Sequence, residues 1–178
     1  ALPISSGEIL ILAGDIMPVY LKERPEYLSF FKFCSDHFKW TYWIAGNHEF
    51  YGADMTGYTG SFVENILPNV QFVNNYHARI DGVDIILSTL WTKISTGKAD
   101  QIRWQMNDYH KIRLDGKLFT PEDSNALFGQ NLTFIENALK SPKQTKRLIV
   151  THHVPTLRYY PAAYVNSPLM EAFAVDLD

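Results

Sequence analysis

The sequence is short of three things: cysteine, net positive charge and long apolar runs. Its single cysteine, Cys34, cannot form an internal disulfide, so we expect a reducing, cytoplasmic location. Its 16 Lys and Arg residues stand against 19 Asp and Glu, a formal net charge of −3. Nucleic-acid-binding surfaces carry clustered positive charge, so nucleic acid is not an expected partner.

No stretch approaches the roughly 18 apolar residues of a membrane-spanning helix, and no secretory signal pattern opens the chain. We therefore expect no contact with a membrane. Apolar residues make up 46% and aromatic residues 14% of the chain, which excludes an intrinsically disordered protein. A chain of 178 residues can bury one core, so we expect residues 1–178 to form a single domain.

Four short apolar runs predict β-strands that are buried on both faces. They are residues 9–13, 42–45, 83–91 and 148–151. An apolar stripe in residues 26–38 predicts a helix between the first two strands. A second helix is predicted from Thr120, which suits the N-cap position, with Pro121 next and Asp123 as a capping-box acid. Strands that alternate with helices indicate an α/β fold.

Polar residues follow three of these strands directly. Gly14 and Asp15 follow the first strand, and residues 46–49 follow the second. His152 and His153 follow the last strand. Ligand sites of α/β sheets lie beyond the carboxyl ends of strands, so we expect these three loops to form one crevice.

The residue types in these loops favour a metal site. Asp, Asn and His supply oxygen and imidazole donors without thiolate, a set that suits Mn, Fe or Zn. Taken alone, each residue has a structural interpretation: Asp15 as a helix cap, Asn47 as a turn residue, His48 as a partly exposed histidine, and His152 and His153 as a hydrogen-bonded pair. Their ordered occurrence after apolar strands favours the metal hypothesis.

With these motifs the sequence resembles the calcineurin-like metallophosphoesterases. Gly14-Asp15, the tetrapeptide Gly46-Asn47-His48-Glu49 and the stretch from Thr151 to Pro155 look like the second, third and fourth motifs of that family. The resemblance covers most of the chain. It implies a four-layer αββα sandwich, in which two mixed β-sheets are flanked by helices, with a dinuclear metal site at the strand ends.

The resemblance also implies a role for each motif residue. Asp15 would bridge both metals, and Asn47 and His152 would bind the second metal. His48 would not bind metal but would contact the phosphate and assist the leaving oxygen. His153 would orient a neighbouring group or touch the substrate.

Two motifs of the family are missing from this chain. An Asp-x-His motif should precede the first strand, but residues 1–8 do not supply it, and no histidine after His153 could form the last Gly-His-x-His motif. The family holds two divalent metals (Mn, Fe or Zn), whereas this chain by itself would hold one or none. We expect a parent protein that is longer at both ends, the alternative being a natural member that lost its metals. For Glu49, the last residue of the second motif present, we expect only a structural role in support of its neighbours.

The leading hypothesis is a metal-dependent hydrolase of small phosphomonoesters or phosphodiesters. Two metals about 3.5–4 Å apart would hold a bridging hydroxide for in-line attack on phosphorus, and His48 would assist departure of the alcohol. The alternative is a metal-depleted, non-catalytic homologue that acts as a protein-binding scaffold. Exposed-looking aromatics such as Tyr159, Tyr160 and Tyr164 favour that alternative.

Two further clusters have open interpretations. Residues 95–119 are polar and weakly periodic, so we interpret them as an irregular excursion or lid. The cluster Trp104, Asn107, Asp108, Tyr109 and His110 within them either recognises substrate or packs aromatics against the sandwich. Residues 158–164 either line the pocket mouth or cover the core.

Overall fold

The computed structural model describes residues 7–140 and 146–178, which contain nine strands and four helices. The strands are β1 (Ile9–Leu12), β2 (Trp40–Ile44), β3 (Phe62–Leu67), β4 (Val70–Asn74), β5 (Tyr76–Ile80), β6 (Val83–Ser88), β7 (Arg113–Leu114), β8 (Lys117–Leu118) and β9 (Lys146–Thr151). The helices are α1 (Pro25–His37), α2 (Thr96–Gln105), α3 (Asp108–Lys111) and α4 (Pro121–Leu139).

Two mixed sheets form the centre of the fold. The first has the order β1-β2-β4-β3, with β1, β2 and β4 parallel and β3 antiparallel to β4. The second has the order β5-β6-β9, with β5 antiparallel and β9 parallel to β6. Strands β7 and β8 form a separate hairpin.

The two sheets pack face to face, with a helix on each outer side. Tyr42, Ile44 and Val73 of the first sheet share a buried cluster with Ile85 and Leu87 of the second. Residues that alternate with these face outward, because successive side chains of a strand point to opposite faces. Helix α1 covers the outer face of the first sheet and α4 that of the second. The expected four-layer αββα sandwich is thus confirmed.

Two predicted strands are less buried than expected. In β1, which lies at the edge of its sheet among the described residues, Ile9, Leu10 and Ile11 are half-buried. Strand β9 was expected to be buried on both faces, but Leu148 is 45% and Ile149 is 43% exposed. Among the described residues β9 lies at the edge of its sheet, with β6 as its neighbour on one side. Strand β6, which lies between β5 and β9, is buried as predicted.

The interpretation of residues 95–119 as an irregular excursion is wrong. The segment contains α2, α3 and the β7-β8 hairpin, and it buries Ile102, Tyr109, Ile112 and Phe119 in the main core. Tyr109 stacks on Phe119 with ring centroids 5.8 Å apart. The segment is therefore an integral part of the domain. None of the helices described for this chain is long and apolar enough to span a membrane.

Candidate active site

The loops that follow β1, β2 and β9 meet at one end of the sandwich. Parallel pairing of Leu12 with Trp43 brings the first two loops out at the same edge of the first sheet. His152 joins them from the second sheet, because its Nδ1 lies 2.9 Å from the carbonyl oxygen of Ala13. The expected convergence of the three motifs is thus present.

Glu49 ties the first two loops together. Its carboxylate accepts hydrogen bonds from the backbone N–H groups of Asp15 at 2.8 Å, Ile16 at 2.6 Å and Gly46 at 2.7 Å. The indole N–H of Trp43 donates a fourth bond at 3.2 Å. The side chain is fully buried. A buried carboxylate with four donors is well satisfied, so Glu49 holds the backbone from which Asp15 projects.

Gly14 and Gly46 allow the close approach of these loops. A Cβ atom at Gly14 would overlap the ring of His152, and one at Gly46 would overlap both that ring and the Asp15 carboxylate. Gly14 also has a φ of +93°, which side-chain-bearing residues rarely adopt. Asp15 follows in the left-handed region at φ +58°, a conformation that Asp tolerates better than most residues. Both glycines are therefore required by the packing of the site.

The amide of Asn47 is held in one orientation. Its Nδ2 donates to the carboxylate of Asp108 at 2.8 Å, so its Oδ1 faces the ring of His152 at 3.2 Å from Nε2. Asp108 is 3% exposed and accepts a second bond from the Tyr51 hydroxyl at 2.6 Å. Burial, with the Asp108 carboxylate next, raises the pKa of Tyr51, so the phenol keeps its proton and donates.

Three atoms that can bind a metal, two oxygens and one nitrogen, lie close together. The carbonyl oxygen of Ala13 can only accept, so Nδ1 of His152 donates to it, and in that tautomer Nε2 presents a lone pair. That lone pair faces Oδ1 of Asn47 at 3.2 Å and Oδ1 of Asp15 at 3.5 Å. A second proton on the ring or a cation bound by all three atoms would satisfy this arrangement. The donor set therefore fits a divalent metal ion.

His48 lies beside this group with its ring accessible. Its backbone N–H donates to Oδ1 of Asp15 at 3.1 Å, and its Nδ1 lies 3.7 Å from Oδ2 of the same carboxylate. The side chain is 57% exposed and packs on Tyr51, with ring centroids 4.3 Å apart. It is thus anchored at the backbone and open to a bound ligand.

His153 is buried beneath the site. It is 6% exposed, and its ring lies 4.9 Å from that of His152 and 5.4 Å from that of Trp91, centroid to centroid. Burial, with the neighbouring His152 next, lowers the pKa of His153 to about 3. The ring is therefore neutral at physiological pH.

A cavity of about 500 Å³ opens onto these side chains. It is lined by Asp15, Asn47, His48, Tyr51, Gln105, Met106, Asn107, His152, His153, Val154, Ala172 and Phe173. Residues between 95 and 119 thus form one wall of it. In the part of the chain that the structure describes, no three His, Cys, Asp or Glu side chains form a metal-ligand group, since Asn47 is one of the three converging donors.

Sequence reasoning missed Asp108 and Tyr51 as neighbours of Asn47. Asp108 belongs to the polar cluster singled out above, but no local pattern relates it to a residue 61 positions away. Trp104 of the same cluster is 78% exposed, so only Tyr109 of its two aromatics packs into the core.

A two-sheet sandwich with Asp, Asn and His gathered at its strand ends has the fold of a metallophosphoesterase. The chain belongs to the calcineurin-like phosphoesterase family, which it matches over residues 2–177.

One curated relative is an uncharacterized protein, L509, of Acanthamoeba polyphaga mimivirus. It is 32% identical over 94% of this chain, which spans 65% of the relative's length. A similar solved structure is that of phosphopantetheinyl hydrolase from Mycobacterium tuberculosis, with a TM-score of 0.54 and 14% identity. This likeness covers 94% of the present chain and 65% of the other, and it bears out the fold.

Proposed function

We propose that this chain carries the active site of a metal-dependent hydrolase of small phosphoesters. The observation that supports it is the convergence of the Asp15 carboxylate, the Asn47 amide oxygen and Nε2 of His152 around one point. Family membership supports the reaction type, and the accessible His48 beside this point supports an acid or base role.

Asp15, Asn47 and His152 would hold a divalent cation. Mn, Fe and Zn all accept one imidazole nitrogen with oxygen donors. When bound, such a cation would neutralise charge on phosphoryl oxygens and lower the pKa of water. These three donors would hold one cation, and the further ligands of the dinuclear centre that the family resemblance implies belong to motifs that residues 1–178 do not contain.

His48 would move a proton at the leaving group. A proton on its imidazole can be delivered to the alcohol oxygen as the ester bond breaks, and its Nδ1 lies 3.7 Å from the Asp15 carboxylate. The bond from its backbone N–H to Asp15 holds it in place without involving the ring.

His153 would orient its neighbours and line the back of the cavity. Its neutral ring sits against His152, and the backbone N–H groups of both histidines donate to the carbonyl oxygen of Thr89, at 3.3 Å and 3.2 Å. With 6% exposure it offers little surface to a substrate, so the orienting role is favoured over direct substrate contact.

The experiment combines metal content with turnover in three variants. In His48→Ala we expect turnover of p-nitrophenyl phosphate or its bis-ester to fall by about 10²–10⁴ while bound Mn²⁺ is unchanged, because acid–base assistance is lost. In Asp15→Ala we expect Mn²⁺ itself to be lost. His37→Ala is the matched control, since His37 is an exposed histidine on α1.

Two outcomes would count against the proposal. If His48→Ala hydrolyses aryl phosphates at the parent rate, its assigned role is wrong. If the unsubstituted chain binds no Mn²⁺, Fe²⁺ or Zn²⁺ and hydrolyses neither ester, the second candidate function stands. That candidate is a non-catalytic, protein-binding homologue, and the exposed side chains of Tyr159 and Tyr164 favour it.

A further inference from the structure

A second cavity adjoins the candidate active site and has a different character. It measures about 380 Å³ and is lined by Val154, Tyr160, Tyr164, Ser167, Met170 and Phe173. None of these six side chains carries a charge. The volume lies within the range of roughly 300–1,000 Å³ that is typical of small-molecule sites, which are mostly apolar.

The two cavities share a wall. Val154 and Phe173 line both of them, and the backbone N–H of Val154 donates to the carbonyl oxygen of Phe173 at 3.0 Å. Val154 also comes two residues after His152 in the chain. A ligand whose phosphoryl group lies at the Asp15, Asn47 and His152 donors can therefore extend across this wall without leaving the protein surface.

Large apolar side chains are exposed around the shared wall. Phe173 is 46%, Tyr164 is 61% and Val154 is 36% exposed. Grouped exposure of this kind marks binding surfaces, whereas single exposed apolar residues need no explanation. The absence of charge among the lining residues disfavours a second phosphate or another ionic group in this cavity.

We propose that this second cavity is the subsite for the organic part of the phosphoester, and that it selects an apolar group of about the size of an aromatic ring. This inference rests on the proposed function. Tyr160 and Tyr164 supply flat aromatic surfaces at little conformational cost, and Met170 supplies an adaptable apolar one. The substrate class is thus an ester of phosphate with an apolar, preferably aromatic, alcohol.

A pair of non-hydrolysable probes tests the subsite by binding alone. Phenylphosphonate and methylphosphonate present the same anionic group and differ in the apolar part. With Mn²⁺ present, isothermal titration calorimetry should show that phenylphosphonate binds about tenfold or more tightly than methylphosphonate. The reason is that a phenyl ring buries more apolar surface than a methyl group. Tyr164→Ala and Tyr160→Ala should each reduce this preference several-fold and leave methylphosphonate affinity unchanged.

Tyr159→Ala is the matched control. Tyr159 is the same residue type in the same segment, but it is 96% exposed and does not line the cavity. Its substitution should leave the preference as it is. Equal affinity for the two phosphonates, or an equal effect of Tyr159→Ala and Tyr164→Ala, would overturn the subsite while the proposed hydrolase stands. Failure of the chain to bind either phosphonate would overturn the proposed function and the subsite with it.

Discussion

Two buried carboxylates, Glu49 and Asp108, organise the candidate site at the scale of single residues. Among the described residues, Glu49 accepts from three backbone N–H groups and the Trp43 indole, so it fixes where the two loops run. Asp108 accepts from side chains, so it fixes how Asn47 and Tyr51 are turned. Of the two, Asp108 has the more direct effect on the orientation of the Asn47 oxygen.

The bond to Asp108 decides which end of the Asn47 amide faces the donors. If Asp108 were absent, the amide could turn its Nδ2 toward Nε2 of His152 and remove the oxygen from the proposed metal position. The same carboxylate anchors Tyr51, on whose ring His48 packs. Asp108 is therefore a positioning residue for Asn47 and, through Tyr51, for His48.

We expect Asp108→Leu to weaken Mn²⁺ binding by about 10- to 100-fold, the effect that is typical of losing a group that orients a ligand. Asp108→Asn should weaken it much less, because Asn47 and Tyr51 both donate to Oδ1, which an amide retains. Mn²⁺ titration by calorimetry measures both variants.

Asp84→Leu is the control for Asp108→Leu. It distinguishes the loss of a group that orients Asn47 from the loss of any buried carboxylate. Asp84 is 1% exposed and pairs with Arg79 at 2.7 Å on the second sheet. Its substitution should lower the thermal midpoint but leave Mn²⁺ affinity intact. Equal loss of affinity in Asp84→Leu and Asp108→Leu would show that Asp108 acts only through stability.

The residues of the site differ in how far sequence could identify them. The convergence of Asp15, Asn47 and His152 was predictable because each follows a strand end, and parallel strands end at one edge. Asp108 was not predictable as a partner of Asn47, since a contact across 61 residues depends on how α3 packs. The roles assigned to the motif residues remain predictions.

At the scale of elements, α4 does more than cover a sheet. The chain leaves β6 at Ser88 and runs as irregular backbone, whose polar groups need partners. Asn131 accepts from the Trp91 N–H at 3.0 Å, and Asn125 accepts from the Ile94 N–H at 2.6 Å and donates to its carbonyl at 2.9 Å. Polar side chains on α4 thus take the place of a neighbouring strand.

The N-terminus of α4 depends on the reciprocal bonds that the sequence predicted. The Thr120 hydroxyl accepts from the Asp123 N–H at 3.2 Å, and the Asp123 carboxylate accepts from the Thr120 N–H at 2.9 Å. We expect Thr120→Ala to lower the free energy of unfolding by about 1 kcal/mol. Urea denaturation of Thr120→Ala, Asp123→Ala and the double variant should show that the two losses are not additive.

Arg24→Ala is the control for this cycle. Arg24 is the N-cap of α1 but makes no side-chain capping bond, so its loss should change stability by less than about 0.5 kcal/mol. Strictly additive effects of Thr120→Ala and Asp123→Ala would mean that the two bonds do not act together.

Elements with continuous apolar runs were predictable, and those with mixed composition were not. Strands β3, β4 and β5 carry polar residues among apolar ones and are five or six residues long, which is too weak a pattern to distinguish from a loop. Helix α2 buries only Ile102 of its own residues, so it has no apolar stripe from which a helical period could be recognised in the sequence. Packing against α4 and α3 holds it instead.

At the scale of the whole molecule, the core between α1 and the first sheet encloses the single thiol. Cys34 is fully buried in the cluster that holds Phe31 and Trp43. Burial raises the pKa of this thiol from 9.0 to about 11. The unfolded thiol therefore ionises first as pH rises, so the stability that burial of the neutral thiol contributes is present below about pH 9 and decreases toward pH 11.

Cys34 labelling should therefore report the opening of the whole sandwich. We expect its reaction with Ellman's reagent at pH 8 to be at least about 10³-fold slower in buffer than in guanidinium chloride, because the reagent reaches the thiol only when the core opens. The rate in buffer should rise with pH around the ionisation of the unfolded thiol near 9.0 rather than around 11, since the open form reacts. Glutathione, whose thiol is always exposed, is the control for the reagent's own pH dependence. Fast labelling in buffer would mean that α1 separates from the first sheet without global unfolding, and the sandwich would then not be one cooperative unit.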